Sequence, residues 1–485
     1  MPISEWILGF CILAQAVLLA LPHGRKAFRS AEVLAGAGFL ASAVAVVMLH
    51  LYDAGLNPLW TALLEDQPLF RLPRAALFLA ALLLGRNVIA TGELPPGRKQ
   101  ETLLLLTVLV FLCDLLILSR HALLSSVLLA SISWLGIFLS GLAFRGRVEG
   151  EAVLKSWLQV SLAVALGFGS VLVLALVSGG LHYEVIAAQM KTLSLYSPEA
   201  LLTILALCLP FFLAGGIFPF HFISLDRDQG LPWAVQVILT IIVQGSVTLA
   251  AWKMGVEVFG SARPGQVAEG MRVLQLAGLA GGFWLAIFAF SQENAKRLFS
   301  AIVGAQWFAI LAAGAMPTKL GVSAITYAFS SVFLWTALLG FVWSRLQESV
   351  GSEKMESVHG AARSFRMAGL MLLIALTGPL YAPGFTGFPS VFHLLASMIE
   401  QRSLVFLAAE GVLLAVLCLS ALRIGTDLLF RPAPQRDATN AGTSFSYGVL
   451  DFGAMILLGA TILVLGVFWY HAFAALNDAA GLFLL

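Results

Sequence analysis

Residues 215–252 read GGIFPFHFISLDRDQGLPWAVQVILTIIVQGSVTLAAW, and this stretch decides the fold. Two glycines and Pro219 interrupt an apolar segment that begins near residue 199. Proline removes a backbone donor and clashes with the preceding helical turn, so we expect the helix to break here. From Trp233 onwards the stretch is apolar again and long enough for a second helix. The sequence therefore predicts a broken helix followed by an intact one.

The composition places these helices in a membrane. Of the 485 residues, 60% are hydrophobic and only 11% are charged, and the mean hydropathy is +0.93. Soluble domains carry about 25% charged residues, so this much apolar surface needs lipid as its solvent. No segment has the alternating pattern of a membrane strand. We predict an all-α polytopic membrane protein with about 14 transmembrane helices.

A second predicted span, at residues 365–395, is also interrupted. It carries Gly378, Pro379, Pro383, Gly384, Gly387 and Pro389. Discontinuous helices 7 and 12, five spans apart, indicate two inverted five-helix repeats of a transporter fold. The alternative is that Pro and Gly are simply common in membrane helices. The predicted divisions are 1–101 (helices 1–3), 102–256 and 273–422 (the repeats), and 423–485 (a loop and the C-terminal helix).

Several motifs resemble a known family. Seven residues match the pattern PFHFW-PD-x-x-x-G-x-P, namely Pro219, Phe220, His221, Phe222, Asp226, Gly230 and Pro232. Four further stretches resemble motifs of the same family: DLLILSR at 114–120, EAVLKSW at 151–157, SQENAKRLFSAIVGAQW at 291–307 and GPLYAPGFTGF at 378–388. Their order and spacing resemble the antiporter-like membrane subunits of respiratory complex I, most closely subunit N of NADH-quinone oxidoreductase. The resemblance covers roughly residues 70 to 430 and agrees with the transporter fold that the two broken helices indicate. It implies proton translocation driven by quinone reduction in a neighbouring part of the complex.

The chain departs from the family at its proton-path positions. Where the family has titratable residues, this sequence has Leu123, Ala214, Gln244, Gln306 and Phe388. A proton relay needs groups that change charge inside the bilayer. Glutamine forms hydrogen bonds but does not titrate near neutral pH. The substitutions therefore predict a weakened or lost proton path and a structural role, and the buried glutamines are alternatively contacts that hold helices together.

Three further polar residues are candidates inside the membrane. Lys155 matches the family's lysine at the entry to span six, or alternatively extends its ammonium group to the interface. His221 lies just after the first break, where a hydrogen bond to freed backbone groups is the structural interpretation. Glu410 lies within an apolar span, so its carboxylate should be paired or protonated. Arg402, Lys319 or a neighbouring subunit are its candidate partners.

Other functions find no support in the sequence. The net charge of +2 indicates no nucleic-acid partner, and the four cysteines have no metal-binding spacing. No nucleotide-binding or hydrolytic motif is present, so we expect no catalytic centre and no cofactor in this chain. Most Lys and Arg residues fall in alternate loops, which predicts that both termini lie on the outer, periplasmic side. Together with the resemblance, this implies a bacterial inner-membrane protein.

The resemblance implies other membrane-arm subunits and the lipid bilayer as partners, and contact with quinone only through the whole complex. A second hypothesis is an antiporter-like subunit of another modular assembly, such as a membrane hydrogenase, a cation antiporter or an inorganic-carbon uptake system. A third is a stand-alone carrier. All three are compatible with a chain of 485 residues that is 60% hydrophobic.

Overall fold

The structure is a computed structural model that describes residues 3–20, 25–52, 63–142, 147–193, 197–260, 264–314, 318–350, 354–360, 366–400, 403–432 and 448–484. These residues are almost entirely helical, with only isolated β-bridges between loops, which confirms the all-α prediction. Within them, ten helices are long and apolar enough to cross a membrane, and three shorter helices are also apolar. The predicted count of about 14 is therefore not confirmed. Residues 433–447 of the predicted C-terminal loop lie outside the described ranges.

The first half of the chain forms eleven helices, with a π-helical turn at Leu239–Val243 between the last two. They are α1 (Ile3–Ala20), α2 (Arg25–Tyr52), α3 (Arg71–Ala90), α4 (Pro96–Leu118), α5 (Ala122–Leu142), α6 (Arg147–Ser178), α7 (Tyr183–Thr192), α8 (Pro198–Ala214), α9 (His221–Gln229), α10 (Trp233–Ile238) and α11 (Gln244–Phe259).

The second half continues with eight helices, in the same described part of the chain. They are α12 (Pro264–Ser291), α13 (Ala295–Ala313), α14 (Lys319–Val350), α15 (Arg366–Leu376), α16 (Gly387–Glu400), α17 (Leu404–Gly425), α18 (Val449–Val467) and α19 (Trp469–Phe483). Short 3₁₀ turns lie at Pro68–Phe70 and Met355–Val358, and a second π-helical turn follows α17 at Thr426–Phe430.

Two long helical segments form the centre of the bundle. Trp233–Phe259 and Lys319–Val350 are enclosed by protein along their full apolar stretch. A helix that is apolar all round is expected at such a central position. Helix α13 packs closely on α12, because a Cβ atom on Gly278 would lie only 2.7 Å from the backbone oxygen of Phe308. Small residues of this kind let membrane helices approach each other.

Both predicted breaks are confirmed. Helix α8 ends at Ala214 and α9 begins at His221, with Gly216 between them in the left-handed region at φ 60°. Helix α15 ends at Leu376 and α16 begins only at Gly387, where a Cβ atom would collide with the Gly378 carbonyl. Glycine is therefore required where the two ends of the second break meet. The inverted relation between the repeats stays a prediction.

Candidate functional site: the polar interior of the bundle

Gln244 lies at the centre of the bundle, as the first residue of α11 after the π-helical turn. Its side chain is buried against α13, where a Cβ atom added to Gly304 would lie 3.5 Å from the amide nitrogen. Its backbone oxygen accepts a 2.7 Å hydrogen bond from the Thr248 hydroxyl. An uncharged amide in a closely packed helix contact thus lies where the resemblance places the family's central lysine.

A small cavity of about 20 Å³ adjoins the first break. Ala214 and Gln159 are among the residues that line it. The Gln159 amide donates a 2.6 Å hydrogen bond to the backbone oxygen of Leu213, which also accepts a 3.3 Å hydrogen bond from the Gly216 backbone within the break. Gln159 therefore caps the interrupted helix from α6, as the helix-contact interpretation predicts.

Lys155 lies on α6, at the edge of the bundle. Its ammonium group is 3.0 Å from Glu151 on the same helix and 4.0 Å from Asp226 on α9, and its side chain is partly exposed. This geometry is that of an interfacial ion pair, in which a long side chain brings its charge towards water.

The His221 side chain is buried and forms no hydrogen bond with any residue that the structure describes. Neither ring nitrogen has a partner among the described residues. Its ring stacks on Phe218 with centroids 5.5 Å apart and meets the edge of Trp284 at 5.8 Å. The predicted hydrogen bond to freed backbone groups is therefore wrong. The Leu213 carbonyl is already bound by Gln159, and the imidazole lies against aromatic rings instead.

A polar cluster connects α9, α10 and α13. The Asp228 carboxylate is buried and accepts hydrogen bonds of 2.8 Å from Ser300 and 3.1 Å from Thr240. The Gln236 amide donates to Ser300 at 2.9 Å and to the backbone oxygen of Lys296 at 2.7 Å. These bonds engage the Asp228 carboxylate and the Gln236 amide nitrogen at the helix crossing, whereas the Gln236 amide oxygen has no hydrogen-bond partner among the described residues.

Gln306 connects α13 to the second break. Its amide donates a 3.1 Å hydrogen bond to the Tyr381 hydroxyl, and Tyr381 has a positive φ of 53° within the break. A cavity of about 20 Å³ lies beside this bond, with Ser331 and Ser390 among its lining residues. Gln306 therefore has a clear structural use, because it fixes a strained loop to a neighbouring helix.

Glu410 is completely buried on α17. Neither carboxyl oxygen has a hydrogen-bond partner among the described residues. Of the candidate partners, Lys319 lies against Gly481 of α19, and Arg402 lies outside the described residues. Arg423, on the same helix, is instead 3.7 Å from Asp427. No ion pair of Glu410 is therefore found within the described part of the chain.

The five substituted family positions do not form one site. Leu123 and Phe388 lie on the outside of the bundle, with 39% and 40% of their surface exposed. Ala214, Gln244 and Gln306 lie inside, but beside different cavities and helices. The chain therefore does not present a continuous line of polar side chains at these positions.

A buried ionic cluster joins α1, α3 and α4, and sequence analysis missed it. The Arg74 guanidinium is fully buried and binds Asp114 at 2.6 Å, Asp66 at 2.5 Å and Glu5 at 3.0 Å. Arg71 binds the same Asp66 at 3.1 Å. The cluster contains three carboxyl groups and two guanidinium groups, in a part of the bundle that excludes water. Such charges are stable only together.

Lys253, on the same helix as Gln244, is a second buried charge that was missed. Its ammonium group donates hydrogen bonds of 2.8 Å and 3.1 Å to the backbone oxygens of Ile117 and Ser119. It lies 3.6 Å from the Glu257 carboxylate, one turn further along the helix. Gln67 in turn contacts Glu257 at 3.4 Å. The lysine therefore ties the end of α4 to α11.

This pair continues into a network that reaches the surface. Gln67 donates to Glu65 at 2.5 Å, and Arg120 binds both Glu65 at 2.9 Å and Glu184 at 2.6 Å. Burial raises the pKa of the nearby Tyr183 phenol, whose hydroxyl lies 2.7 Å from that of Ser125. The network borders a cavity of about 290 Å³ lined by Gln67, Arg120, Tyr183, Glu184, Lys191, Glu257 and apolar residues.

These charges were visible in the sequence. Asp114 stands within VFLCDLLIL and Lys253 within TLAAWKMGV, both otherwise apolar. An ionisable residue inside a membrane span is expected to be paired or functional, and this rule finds both. The resemblance does not single them out: Asp114 opens the DLLILSR motif but receives no role from it, and Lys253 lies one residue beyond the stretch 215–252.

The comparisons agree with the resemblance. No family model matches the chain. NADH-quinone oxidoreductase subunit N of Chlorobium chlorochromatii (strain CaD3) is 24% identical over 365 residues, which cover 72% of this chain and 68% of that protein. Among solved structures, a chain of respiratory complex I from Thermus thermophilus covers 98% of this chain and is itself 99% covered, with a TM-score of 0.75 and 20% identity.

A chain of the Mrp complex from Dietzia sp. DQ12-45-1b has the same fold, with a TM-score of 0.83 and 14% identity; the match covers 99% of this chain and 97% of that one. The two structural matches cover 98% and 99% of this chain. The chain is therefore similar in sequence to subunit N of NADH-quinone oxidoreductase and shares the fold of a chain of respiratory complex I.

Proposed function

We propose that this protein is a membrane-arm subunit of a complex I-like quinone oxidoreductase and that its own proton path is interrupted. The observation that carries the proposal is Gln244, which occupies the centre of a fully enclosed helical segment. An amide at this point orders its neighbours but does not carry a proton through the bilayer. The chain then serves as a spacer between the other membrane-arm subunits, and quinone is reached only through the whole complex.

The surroundings of Gln244 support this proposal. The substituted positions Leu123 and Phe388 point out of the bundle, where a charge would face lipid or a partner subunit. Gln159 and Gln306 are engaged in bonds between helices. Since each of these amides has a structural role, the interior retains its architecture without the family's charges.

Replacing Gln244 by alanine is expected to leave proton pumping by the assembled complex nearly unchanged, because only hydrogen-bonding capacity is lost. Proton uptake by reconstituted vesicles, together with the yield of assembled complex, measures this. Gln159→Ala is the matched control, since it removes a buried amide that lies outside the family's proton-path positions and bonds the backbone oxygen of Leu213. Normal assembly with a large loss of pumping in Gln244→Ala would show that a water path through Gln244 conducts protons.

The reverse substitution, Gln244→Lys, is expected to lower assembly rather than restore pumping. A lysine here faces Gly304 and lacks the carboxylate that Leu123 has replaced. An unpaired buried ammonium group costs several kcal/mol or loses its proton. Increased pumping with normal assembly would contradict the proposal.

A second candidate function is membership of another modular complex. The fold match to a chain of the Mrp complex favours it, because that match is as complete as the match to complex I. Identification of the subunits that co-purify with the full-length protein separates the two. A hydrophilic electron-transfer module supports the first function, a set of membrane subunits alone supports the second, and a stable lone chain supports a stand-alone carrier.

We further propose a bacterial inner-membrane location with both termini in the periplasm. The support is the distribution of Lys and Arg between alternate loops. A reporter that is active only in the periplasm, fused after the last residue, is expected to be active. Activity of a cytoplasm-only reporter at the same point would reverse the orientation.

A further inference from the structure

Glu410 is a buried titratable group for which the proposed spacer role has no use. It lies on α17, about a turn and a half from the helix start, and no part of its side chain reaches the surface. Its two carboxyl oxygens have no hydrogen-bond partner among the described residues. An ionised carboxylate without partners is very costly in such a place, whereas a protonated carboxyl is neutral and can donate a hydrogen bond.

The helices around α17 carry few charges that face it. Helix α17 packs on α12, α13, α15 and α16. The apolar parts of α12, α13 and α15, residues 273–291, 298–313 and 367–376, contain no ionisable side chain. His393 on α16 stacks on Phe473, with centroids 3.7 Å apart. Glu410 therefore has no described counter-ion, and the hydroxyl group of Tyr381, in the second break, is within its electrostatic reach.

A cavity at the same break has room for a ligand. Its volume is about 20 Å³, and its walls include Leu414, one helical turn beyond Glu410 on α17. Ser331, which lines it, has a fully buried hydroxyl oxygen without a partner among the described residues. Gln306 and Tyr381 line it too. A cavity needs about 10–15 Å³ and two to four polar partners to hold one water molecule, and this one meets both conditions.

We propose that Glu410, Tyr381, Gln306 and Ser331 form a hydrated proton-binding site, in which one water molecule occupies the cavity and Glu410 holds the proton. The site lies in the second half of the bundle, but on α17 rather than at Phe388 of α16, where the family has its lysine. In this chain the titratable group of the second half thus lies on a neighbouring helix. The proposal is independent of Gln244, which lies on α11, faces Gly304 and does not contribute to this site.

Infrared difference spectroscopy of the full-length protein, purified with its accompanying subunits, tests this site. In Glu410→Gln, which has nearly the shape of the neutral acid, we expect one carbonyl band of a protonated carboxyl group to disappear. In the unmodified protein the same band should shift after exchange into D₂O, and Ser331→Ala should move it by altering the bound water. Glu400→Gln, which removes an exposed carboxyl group on α16, is the matched control and should leave the band in place.

The outcomes are distinct. A band that is lost in Glu410→Gln, shifts in D₂O and moves in Ser331→Ala supports the site. The absence of any difference between Glu410→Gln and the unmodified protein means that Glu410 is ionised, which overturns the proposal. A band that neither D₂O nor Ser331→Ala affects identifies a dry carboxyl group and overturns the hydrated site. If Glu410→Gln does not assemble, Glu410→Asp, which keeps a carboxyl group, takes its place: a displaced carbonyl band supports the site, and an unchanged spectrum overturns it.

Discussion

Arg74→Met is expected to lose more stability than any other single substitution considered for this protein, and to prevent accumulation of the folded chain in the membrane. The methionine removes the guanidinium group that lies between Glu5, Asp66 and Asp114, all of them buried. Breaking a buried ion pair by removing one partner costs about 3–5 kcal/mol, because the other charge remains uncompensated. The amount of full-length protein in purified membranes, and its unfolding temperature in detergent, measure the effect.

A combined variant separates charge from packing. Arg74→Met together with Glu5→Gln and Asp114→Asn keeps the size of the cluster but removes its excess negative charge, and we expect it to recover much of the lost stability. Wild-type stability of Arg74→Met alone would mean that the cluster contributes little. Equal instability of the single and the combined variants would mean that the shape of arginine, rather than its charge, is required.

Lys253→Met is expected to have the second largest effect. It leaves the Glu257 carboxylate buried without its nearest cation and leaves two backbone oxygens, of Ile117 and Ser119, without their donor. Each unsatisfied buried acceptor costs about 1–3 kcal/mol, and the unpaired carboxylate costs more. The unfolding temperature and the rate of proteolysis in detergent report the loss.

A double-mutant cycle tests whether the two charges act together. Glu257→Gln in the Lys253→Met background should restore part of the stability, with a coupling energy of about 0.5–3 kcal/mol. Lys191→Met is the control, because this exposed lysine lines the same 290 Å³ cavity and should change stability by less than about 0.5 kcal/mol. Strictly additive effects of Lys253→Met and Glu257→Gln would contradict the pairing seen in the structure.

The sequence predicted the broken helices because proline and glycine act locally. A missing backbone donor, or a need for positive φ, depends only on a few neighbouring residues, as Gly216 and Gly384 illustrate. The number of spans was less certain from the sequence because several apolar helices are short, such as Pro198–Ala214 and Met367–Leu376. A window of apolar residues does not distinguish a full crossing from half of an interrupted one.

The candidate site was only partly predictable, because the direction of a side chain depends on distant helices. The resemblance assigned a family position to Leu123 and Phe388, but not the outward direction of their side chains. His221 was assigned a hydrogen bond to the broken helix, although Gln159 on another helix already occupies the freed carbonyl. Such competition between partners far apart in sequence has no local pattern.

The π-helical turn at Leu239–Val243 changes the angular phase of the central helix. A π turn holds one residue more than an α turn, so everything after it is rotated by roughly 100° relative to an uninterrupted helix. Gln244 is the first residue beyond this offset, and Lys253 follows it. A relative with an uninterrupted α-helix here would need one residue fewer between Trp233 and the residue equivalent to Gln244 for that side chain to face Gly304. Gain or loss of a single amino acid in the π-helical turn is therefore enough to rotate α11 towards different neighbouring helices.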